Sequence, residues 1–372
     1  MARNRLREGF TTGTAATAAA KGALERLITG RGPNEVDVPL PREGRLVIPL
    51  ESTTLMNDAA EAVVIKDGGD DPDATHRARI RAIVRLLPNG GPVRVTIRGG
   101  AGVGRVTRPG LPVPVGEPAI NPAPRRQIEA GVREVLARAG REGEVVVTIE
   151  VEDGERIARR TLNPRLGIQG GISILGTRGT VKPFSNQAYR DTITMSMDVA
   201  RSAGLETVAL ATGGKSERLL REFRPDLPAP ACIQVADFFA FSLEEASARG
   251  FETVLYTCFF GKLVKMAQGH PYTHARKSRI DFQELASWCA SAGMDPERVL
   301  AVSRANTSRE ALEVIREAPE ANRLLENAVA RAVATARRFL SGDVALVYHL
   351  FDFDESLLTT RGHPPTGRKE MP

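Results

Sequence analysis

Between Thr207 and Gln268 short apolar runs alternate with helical ones, and this alternation restricts the fold more than any other stretch. Thr207–Ala211 is strand-like, Gly213–Gly214 is a turn, and Ser216–Phe223 has helical spacing. Cys232–Ala236 reads as a strand, Ser242–Arg249 as a helix, Thr253–Phe260 as a strand and Gly261–Gln268 as a helix. Strands separated by helices cannot pair as tight hairpins. They form a parallel sheet covered by helices. Asp191–Ala203 leads in as a helix and stops at Gly204, a residue suited to ending one. Phe282–Gly293, Arg309–Glu317 and Ala321–Leu340 continue as helices, and Val344–Leu350 supplies a late strand.

The preceding half has a different texture. Gly9–Ala23, GFTTGTAATAAAKGA, is a small polar loop followed by an alanine-rich helix former, with Thr12 or Thr14 placed to cap it. Glu35–Leu40, Arg45–Leu50, Ala59–Lys66, Pro92–Arg98 and Glu144–Glu150 read as strands. Arg77–Leu86 fits a helix or a strand. Arg125–Ala139 has one apolar helical face. Two stretches fit neither period: Gly99–Pro124 and the glycine-rich Pro164–Val181. Loops this long are functional or mobile as a rule. The expected architecture is α/β and α+β. A glycine-loop-rich α+β domain spans residues 1–184, a Rossmann-like three-layer α/β domain spans 185–355, and 356–372 form a loose tail.

Charge and composition narrow the function classes. The net charge of +6 suits an acidic partner, whether nucleic acid, phosphate or a polycarboxylate. Basic residues alternate with acids, no run of five Lys/Arg occurs, and aromatics are only 5 %, which disfavours a nucleic-acid module. The three cysteines, Cys232, Cys258 and Cys289, are widely spaced and odd in number. They argue for reduced thiols in a cytoplasm rather than a disulfide framework or a zinc site. No secretory leader and no apolar stretch of membrane-spanning length is expected.

In a parallel α/β sheet ligands sit beyond the carboxyl ends of the strands. The first such strand ends in Thr212, Gly213 and Gly214, where backbone can approach a ligand and the next helix offers free N–H groups. The second ends at Asp237, a carboxylate suited to ribose hydroxyls, and the third at Gly261 and Lys262, an anion site with Lys265 one turn on. Together they suit a nucleoside cofactor, although a plain strand-to-helix turn explains the glycines as well. His270 and His274 have the spacing of helical metal ligands, but Pro271 breaks the helix and no third ligand is evident. His274 is the candidate proton acceptor. Asp67, Asp70, Asp71 and Asp73 lack the spacing of a calcium loop. Arg105, Arg108, Arg125 and Arg126 flank the long loop and are placed to grip carboxylates.

Five segments together resemble one family, the cobalt-precorrin-5B C1-methyltransferases (the CbiD family). They are GFTTGTAATAAAK at 9–21, VIKDGGDDPDAT at 64–75, GAGVGRVTRPGLPVPVGEPAINPAP at 100–124, NPRLGIQGGISILGTRGTVKP at 163–183 and GKLVKMAQGHPYTH at 261–274. The resemblance spans most of the chain, in order. Family members commonly carry Cys where this chain has Ala15, so a thiol role there does not carry over. The resemblance implies methyl transfer from S-adenosylmethionine to C-1 of cobalt-precorrin-5B, giving cobalt-precorrin-6A in anaerobic cobalamin biosynthesis. The cobalt arrives within the substrate, so no protein-bound metal is implied. It also implies that Thr11, Thr12, Gly13, Thr14, Asp71, Arg105, Arg108, Arg125, Gly170 and Gly171 form the substrate loops, with the cofactor on the α/β half. The expected partners are these two small molecules, with no nucleic acid and no membrane, and self-association is left open. A nucleotide-dependent oxidoreductase acting on a tetrapyrrole is the competing class, separated by whether NAD(P) or S-adenosylhomocysteine binds.

Overall fold

A computed structural model describes residues 6–87 and 92–363 of the chain. It divides into two compact units, Met1–Asn186 and Gln187–Pro372.

The first unit is organised by the helix Thr12–Thr29, which has no solvent face from Thr12 to Leu24. A helix enclosed on all sides needs small side chains, and Ala15, Ala16, Ala18, Ala19, Ala20 and Ala23 are all fully buried. Thr11 caps its start by accepting from the Thr14 N–H at 3.2 Å, and Gly30 ends it in the left-handed region at φ 71°. On one side it packs against a sheet, and on the other against the helix Pro122–Ala139. Gly131 permits that approach, since a Cβ there would press on Thr17 and Lys21.

Among the described residues the sheet has the order Ser52–Leu55, Ala60–Ile65, Arg79–Leu87, Glu144–Val151, Arg94–Gly99. All its pairings are antiparallel except the last. The segment that periodicity left undecided is thus its central strand. Ile80, Ala82 and Val84 face the helices, while Arg79, Arg81 and Arg85 face outward and pair with Glu51, Glu61 and Asp58.

The two glycine-rich stretches are not free loops. Gly102–Val103 pairs in parallel with Gly171–Ile172, Arg105–Val106 pairs antiparallel with Ile168–Gln169, and Ile120 bridges Ile174. Three backbones cross at Gly102, which sits at φ 73°. A Cβ on Gly102 would overlap the Val151 carbonyl, and one on Gly154 or Gly171 would overlap the Gly102 carbonyl. Glycine is required there by the chain's own packing.

The second unit holds a sheet of order Cys232–Gln234, Thr207–Ala211, Thr253–Phe259, Ala345–Phe351, Leu357–His363. The first four strands are parallel and the fifth is antiparallel. One face, with Val208, Leu210, Val254, Tyr256 and Leu346, packs against helices that include Asn186–Ser202, Phe239–Ala248, Phe260–Ala267 and Ala321–Arg337. On the other, Ala209, Cys232 and Leu255 meet Leu220 of the helix Gly214–Phe223. The result is the three-layer α/β arrangement expected of this half. The expectation of a loose tail from residue 356 is corrected. Leu357–His363 adds an edge strand to Ala345–Phe351, because the turn around Asp352–Glu355 folds it back. Residues 364–372 of that tail lie outside the described residues. No helix among the described residues is long and apolar enough to cross a membrane.

Candidate functional site

The strand order in the second unit reverses direction between Thr207–Ala211 and Thr253–Phe259. Crossovers leave the sheet in opposite senses there, the arrangement that in open α/β sheets places ligands beyond the carboxyl ends of such strands. Thr212, Gly213 and Gly214 lie at the mouth of the first strand, and the Thr212 N–H donates to the Thr257 carbonyl at 3.1 Å. These glycines differ from those at the backbone crossing of the first unit, Gly102, Gly154 and Gly171. A Cβ on Gly213 would meet nothing within 4 Å, and one on Gly214 would meet only the Gln234 amide, at 3.7 Å. Their backbone lies beside open space that the protein itself does not fill.

Asp237 follows the second strand and Lys262 follows the third. The structure brings these two residues, 25 apart in sequence, into an ion pair. Thr273, only 1 % exposed, donates its hydroxyl to Asp237 Oδ1 at 3.1 Å and accepts from Lys262 Nζ at 3.3 Å. Lys265 Nζ donates to the Thr273 carbonyl at 3.0 Å. Burial and then the neighbouring Lys262 hold the Lys265 ammonium below its usual pKa, although Asp237 opposes them. Asp237 is preceded by Ala236 at φ 48°, a strained conformation for alanine and one that re-aims the chain into the site. Tyr189 and Tyr272 flank the aromatic ring of Phe238 at 5.5 and 5.2 Å. Burial and then the Asp237 charge push both phenols up. Glu217 lies in the first turn of the helix Gly214–Phe223, 3 % exposed, and accepts from Gln234 Nε2 at 2.7 Å. Glu217, Thr273 and Tyr189 escape sequence reasoning. Their partners come from distant segments, and the one local signal is a carboxylate one turn into the helix that follows Gly213–Gly214.

Two candidates of this unit have surroundings unlike those expected. Gly261 does not face a vacancy, since a Cβ there would press on Ser308. His274 Nδ1 accepts the Arg276 N–H at 3.1 Å, which leaves the proton of the neutral ring on Nε2. The ring is therefore arranged as a donor rather than as the proton acceptor expected. His270 is engaged with the Arg279 carbonyl at 3.0 Å.

In the first unit several substrate candidates turn out to build the loops. Thr11, Thr12 and Thr14 are buried. Thr12 Oγ1 bonds the Ser173 and Leu175 carbonyls and accepts the Leu175 N–H at 2.8 Å. Thr14 Oγ1 donates to the Gly179 carbonyl at 2.8 Å, and the Gly13 N–H donates to the Leu175 carbonyl at 3.1 Å. Ala15 is fully buried within the helix. Asp71 accepts the Phe184 N–H at 2.9 Å. Its acidic neighbours are engaged too: Asp67 pairs with Arg7, Asp70 accepts the Arg7 N–H, and Asp73 pairs with the buried Lys66. Arg125 donates to the Ile120 carbonyl at 2.9 Å, and Arg105 donates to the Gly116 carbonyl while staying exposed. Gly171 is enclosed at the backbone crossing, whereas Gly170 is exposed at φ 79°. Arg108 is exposed with no ion pair among the described residues, its stem lying across Gly167. No group of three or more His, Cys, Asp or Glu able to hold a metal occurs among the described residues.

The surplus charge has a definite location. The connecting segments 100–121 and 159–185 carry seven cations and one acid, while the rest of the chain carries 44 of each. The glycine-rich stretches proper, Gly99–Pro124 and Pro164–Val181, hold four of those cations, Arg105, Arg108, Arg165 and Arg178, against the single acid Glu117, which is half of the net charge of +6. By contrast, a cleft of about 490 Å³ at the edge of Gly170 is lined by Arg79, Arg81 and Arg156, each already paired with a carboxylate. It offers no surplus for an anion.

Residues 1–183 match the family CbiD, and residues 272–362 match the CbiD C-terminal domain. The cobalt-precorrin-5B C(1)-methyltransferase of Nitratidesulfovibrio vulgaris is 51 % identical over 361 residues, covering 95 % of this chain and 92 % of that protein. The protein of the same name from Geobacillus sp. is 44 % identical, covering 95 % and 96 %. That of Salinispora arenicola is 43 % identical, covering 94 % and 90 %. The crystal structure of the cobalamin biosynthesis protein CbiD from Archaeoglobus fulgidus is 28 % identical, with a TM-score of 0.39 over 69 % of this chain and 78 % of that one. With both halves of the chain matched and close relatives aligned almost end to end, the chain belongs to the CbiD family.

Proposed function

We propose that this chain methylates C-1 of cobalt-precorrin-5B with S-adenosylmethionine, releasing cobalt-precorrin-6A and S-adenosylhomocysteine in cytoplasmic, anaerobic cobalamin biosynthesis. Family membership and relatives of that name support the activity. The structural observation that carries it is the stapling together of two glycine-rich connections that hold four arginines and one acid. A corrin precursor is a flat macrocycle edged with acetate and propionate arms. Backbone-rich loops accommodate a flat ligand, and the exposed Arg105, Arg108, Arg178 and Lys182 supply cations for its carboxylates.

The methyl donor belongs at the carboxyl edge of the second sheet, against Thr212, Gly213 and Gly214, with Asp237 and Lys262 beyond. The open space beside Gly213 fits that group. S-adenosylmethionine, when bound, supplies an electrophilic methyl on a sulfonium, so an electron-rich ring carbon needs no protein nucleophile. What this chain's residues contribute is orientation and the exclusion of water. The substrate loops are held rigid by the Thr12 and Thr14 hydroxyls and by the Gly102 crossing.

The test is incubation with cobalt-precorrin-5B and methyl-labelled S-adenosylmethionine, followed by mass spectrometry of the tetrapyrrole. One labelled methyl is expected, and an unlabelled tetrapyrrole refutes the activity.

A further inference from the structure

The ion pair at the cofactor edge has one charge too many for a purely structural tie. Asp237 is matched by two lysines, Lys262 and Lys265. Lys262 lies in the first turn of the helix Phe260–Ala267, where the helix dipole disfavours a cation. Lys265, one turn on, donates to a neutral carbonyl of Thr273 and forms no ion pair of its own among the described residues, although the Asp237 charge acts on it. On the acidic side, Asp237 Oδ1 takes both Lys262 and Thr273, and no hydrogen bond engages Oδ2 among the described residues. The pair is neither sealed nor freely solvated, with side-chain exposures of 28 % for Lys262 and 18 % for Asp237.

The framework around it is rigid. The Thr273 N–H donates to the Asp237 carbonyl at 3.0 Å and the Ala240 N–H to the Pro271 carbonyl at 2.9 Å, which pins the Pro271–Thr273 strap to the loop after the second strand. The strained Ala236 fixes where the Asp237 carboxylate points. The result is a fixed carboxylate oxygen beside two ammonium groups, of net charge +1. The ligand that complements it carries an ammonium and a carboxylate on one carbon, which is an α-amino acid end.

We propose that Asp237, Lys262, Lys265 and Thr273 form a clamp for the α-amino-acid end of the methyl donor, with the α-carboxylate on the two lysines and the α-ammonium on Asp237 Oδ2. The nucleoside end then lies toward Gly213 and Glu217. This assignment rests on the proposed cofactor site and gives it a direction. Asp237 is thereby moved from the ribose role that its place after the second strand suggested. The depressed Lys265 ammonium agrees, because an arriving carboxylate relieves the unfavourable burial of its charge.

The experiment compares two ligands by calorimetry: S-adenosylhomocysteine, which carries the amino-acid end, and 5′-methylthioadenosine, which lacks it. The full-length chain is used as wild type, Lys265→Met, Lys265→Gln and Gly213→Val. Lys265→Gln keeps a donor for the Thr273 carbonyl, and ligand-free melting checks the fold of each variant. Wild type is expected to prefer S-adenosylhomocysteine by about 10-fold or more, as charge-assisted bonds do. Both Lys265 variants are expected to lose most of that preference with their 5′-methylthioadenosine affinity unchanged. Gly213→Val is expected to weaken both ligands together. A preference preserved in both Lys265 variants, or equal losses for the two ligands, overturns the clamp. If those variants keep the preference while Gly213→Val abolishes binding, the clamp fails and the cofactor site stands. If wild type binds neither ligand, or Gly213→Val leaves both unaffected, the cofactor site itself is refuted.

Discussion

Two glycines, Gly102 and Gly213, are expected to respond oppositely to the same substitution. Gly102→Ala places a methyl group against the Val151 carbonyl at a residue held at φ 73°. The left-handed backbone alone costs roughly 1–2 kcal/mol for a residue with a Cβ, and relieving the overlap costs about as much again. A loss of about 3 kcal/mol lowers the melting temperature of a unit this size by roughly 6–12 °C. Gly213→Ala meets nothing within 4 Å, and its extended φ of 169° suits any residue. Its melting temperature should stay within about 2 °C of wild type, as for other substitutions that touch nothing. The added methyl group enters the space assigned to the cofactor, so S-adenosylhomocysteine affinity should fall. Differential scanning calorimetry on the ligand-free proteins reads the first quantity and titration calorimetry the second. Wild-type melting for Gly102→Ala would refute the crossing as a requirement of the fold. Unchanged affinity for both Gly213→Ala and the bulkier Gly213→Val would refute the reading of that space.

Four further outcomes follow from the same structure. Arg108→Ala should raise KM for the tetrapyrrole roughly 3–10-fold and leave S-adenosylhomocysteine affinity alone, and added salt should shrink the difference. His274→Gln should keep kcat within about 3-fold, whereas loss of a general base costs roughly 100-fold or more, so a drop of that size would restore the imidazole as proton acceptor. Hydrogen bonding to Arg45 first, and to Lys21 against the opposing effect of burial, lowers the Glu134 carboxyl from 4.5 to about 2. Its stabilising contribution is complete above pH 4.5 and is lost as pH falls toward 2, so wild type should lose its advantage over Glu134→Gln in acid denaturation within that window. Burial, and then Arg224, lowers His349 from 6.5 to about 4. The unfolded chain therefore takes up the proton first, and stability should decline from pH 6.5 to 4 in wild type but not through this group in His349→Leu.

Much of the second unit is legible from sequence because each element carries its own period. Strands such as Thr253–Phe259 are continuous apolar runs, and the helices between them show one apolar face. Arg79–Leu87 is not settled in this way. Its arginines and aliphatics satisfy both periods, and only pairing with Ala60–Ile65 and Glu144–Val151 decides for a strand. Leu357–His363 is hidden for a related reason: it is an edge strand with little buried surface, placed by pairing with Ala345–Phe351 and by contact with the helix Ala321–Arg337. In the glycine-rich stretches the sequence announces something unusual without saying what. Gly213 and Gly102 look alike as letters, and only their surroundings separate a glycine demanded by packing from one beside vacant space. Asp237 and Lys262 are each identifiable as chemistry at strand ends. Their pairing, and the part of Thr273 in it, depend on a strap whose position no local pattern encodes.

The enclosed helix Thr12–Thr29 also constrains the order in which the chain can be built. Its partners are made late. They include strands beginning at Ala60 and Arg79, the helix Pro122–Ala139, and the carbonyls of Ser173, Leu175 and Gly179. The short strand just before it, Gly9–Phe10, pairs with Thr180–Val181. The first and last segments of the unit are therefore joined, and a ribosome must deliver more than 170 residues before the helix finds all its neighbours. The alanine-rich part, Thr12–Ala23, suits that wait, since it carries no large apolar side chain to expose to other nascent chains. Contacts this distant in sequence make for slow folding, because the loop must close before the pairing rewards it. Truncation anywhere before Val181 should leave the helix without its cap of carbonyls and the unit unable to complete its fold.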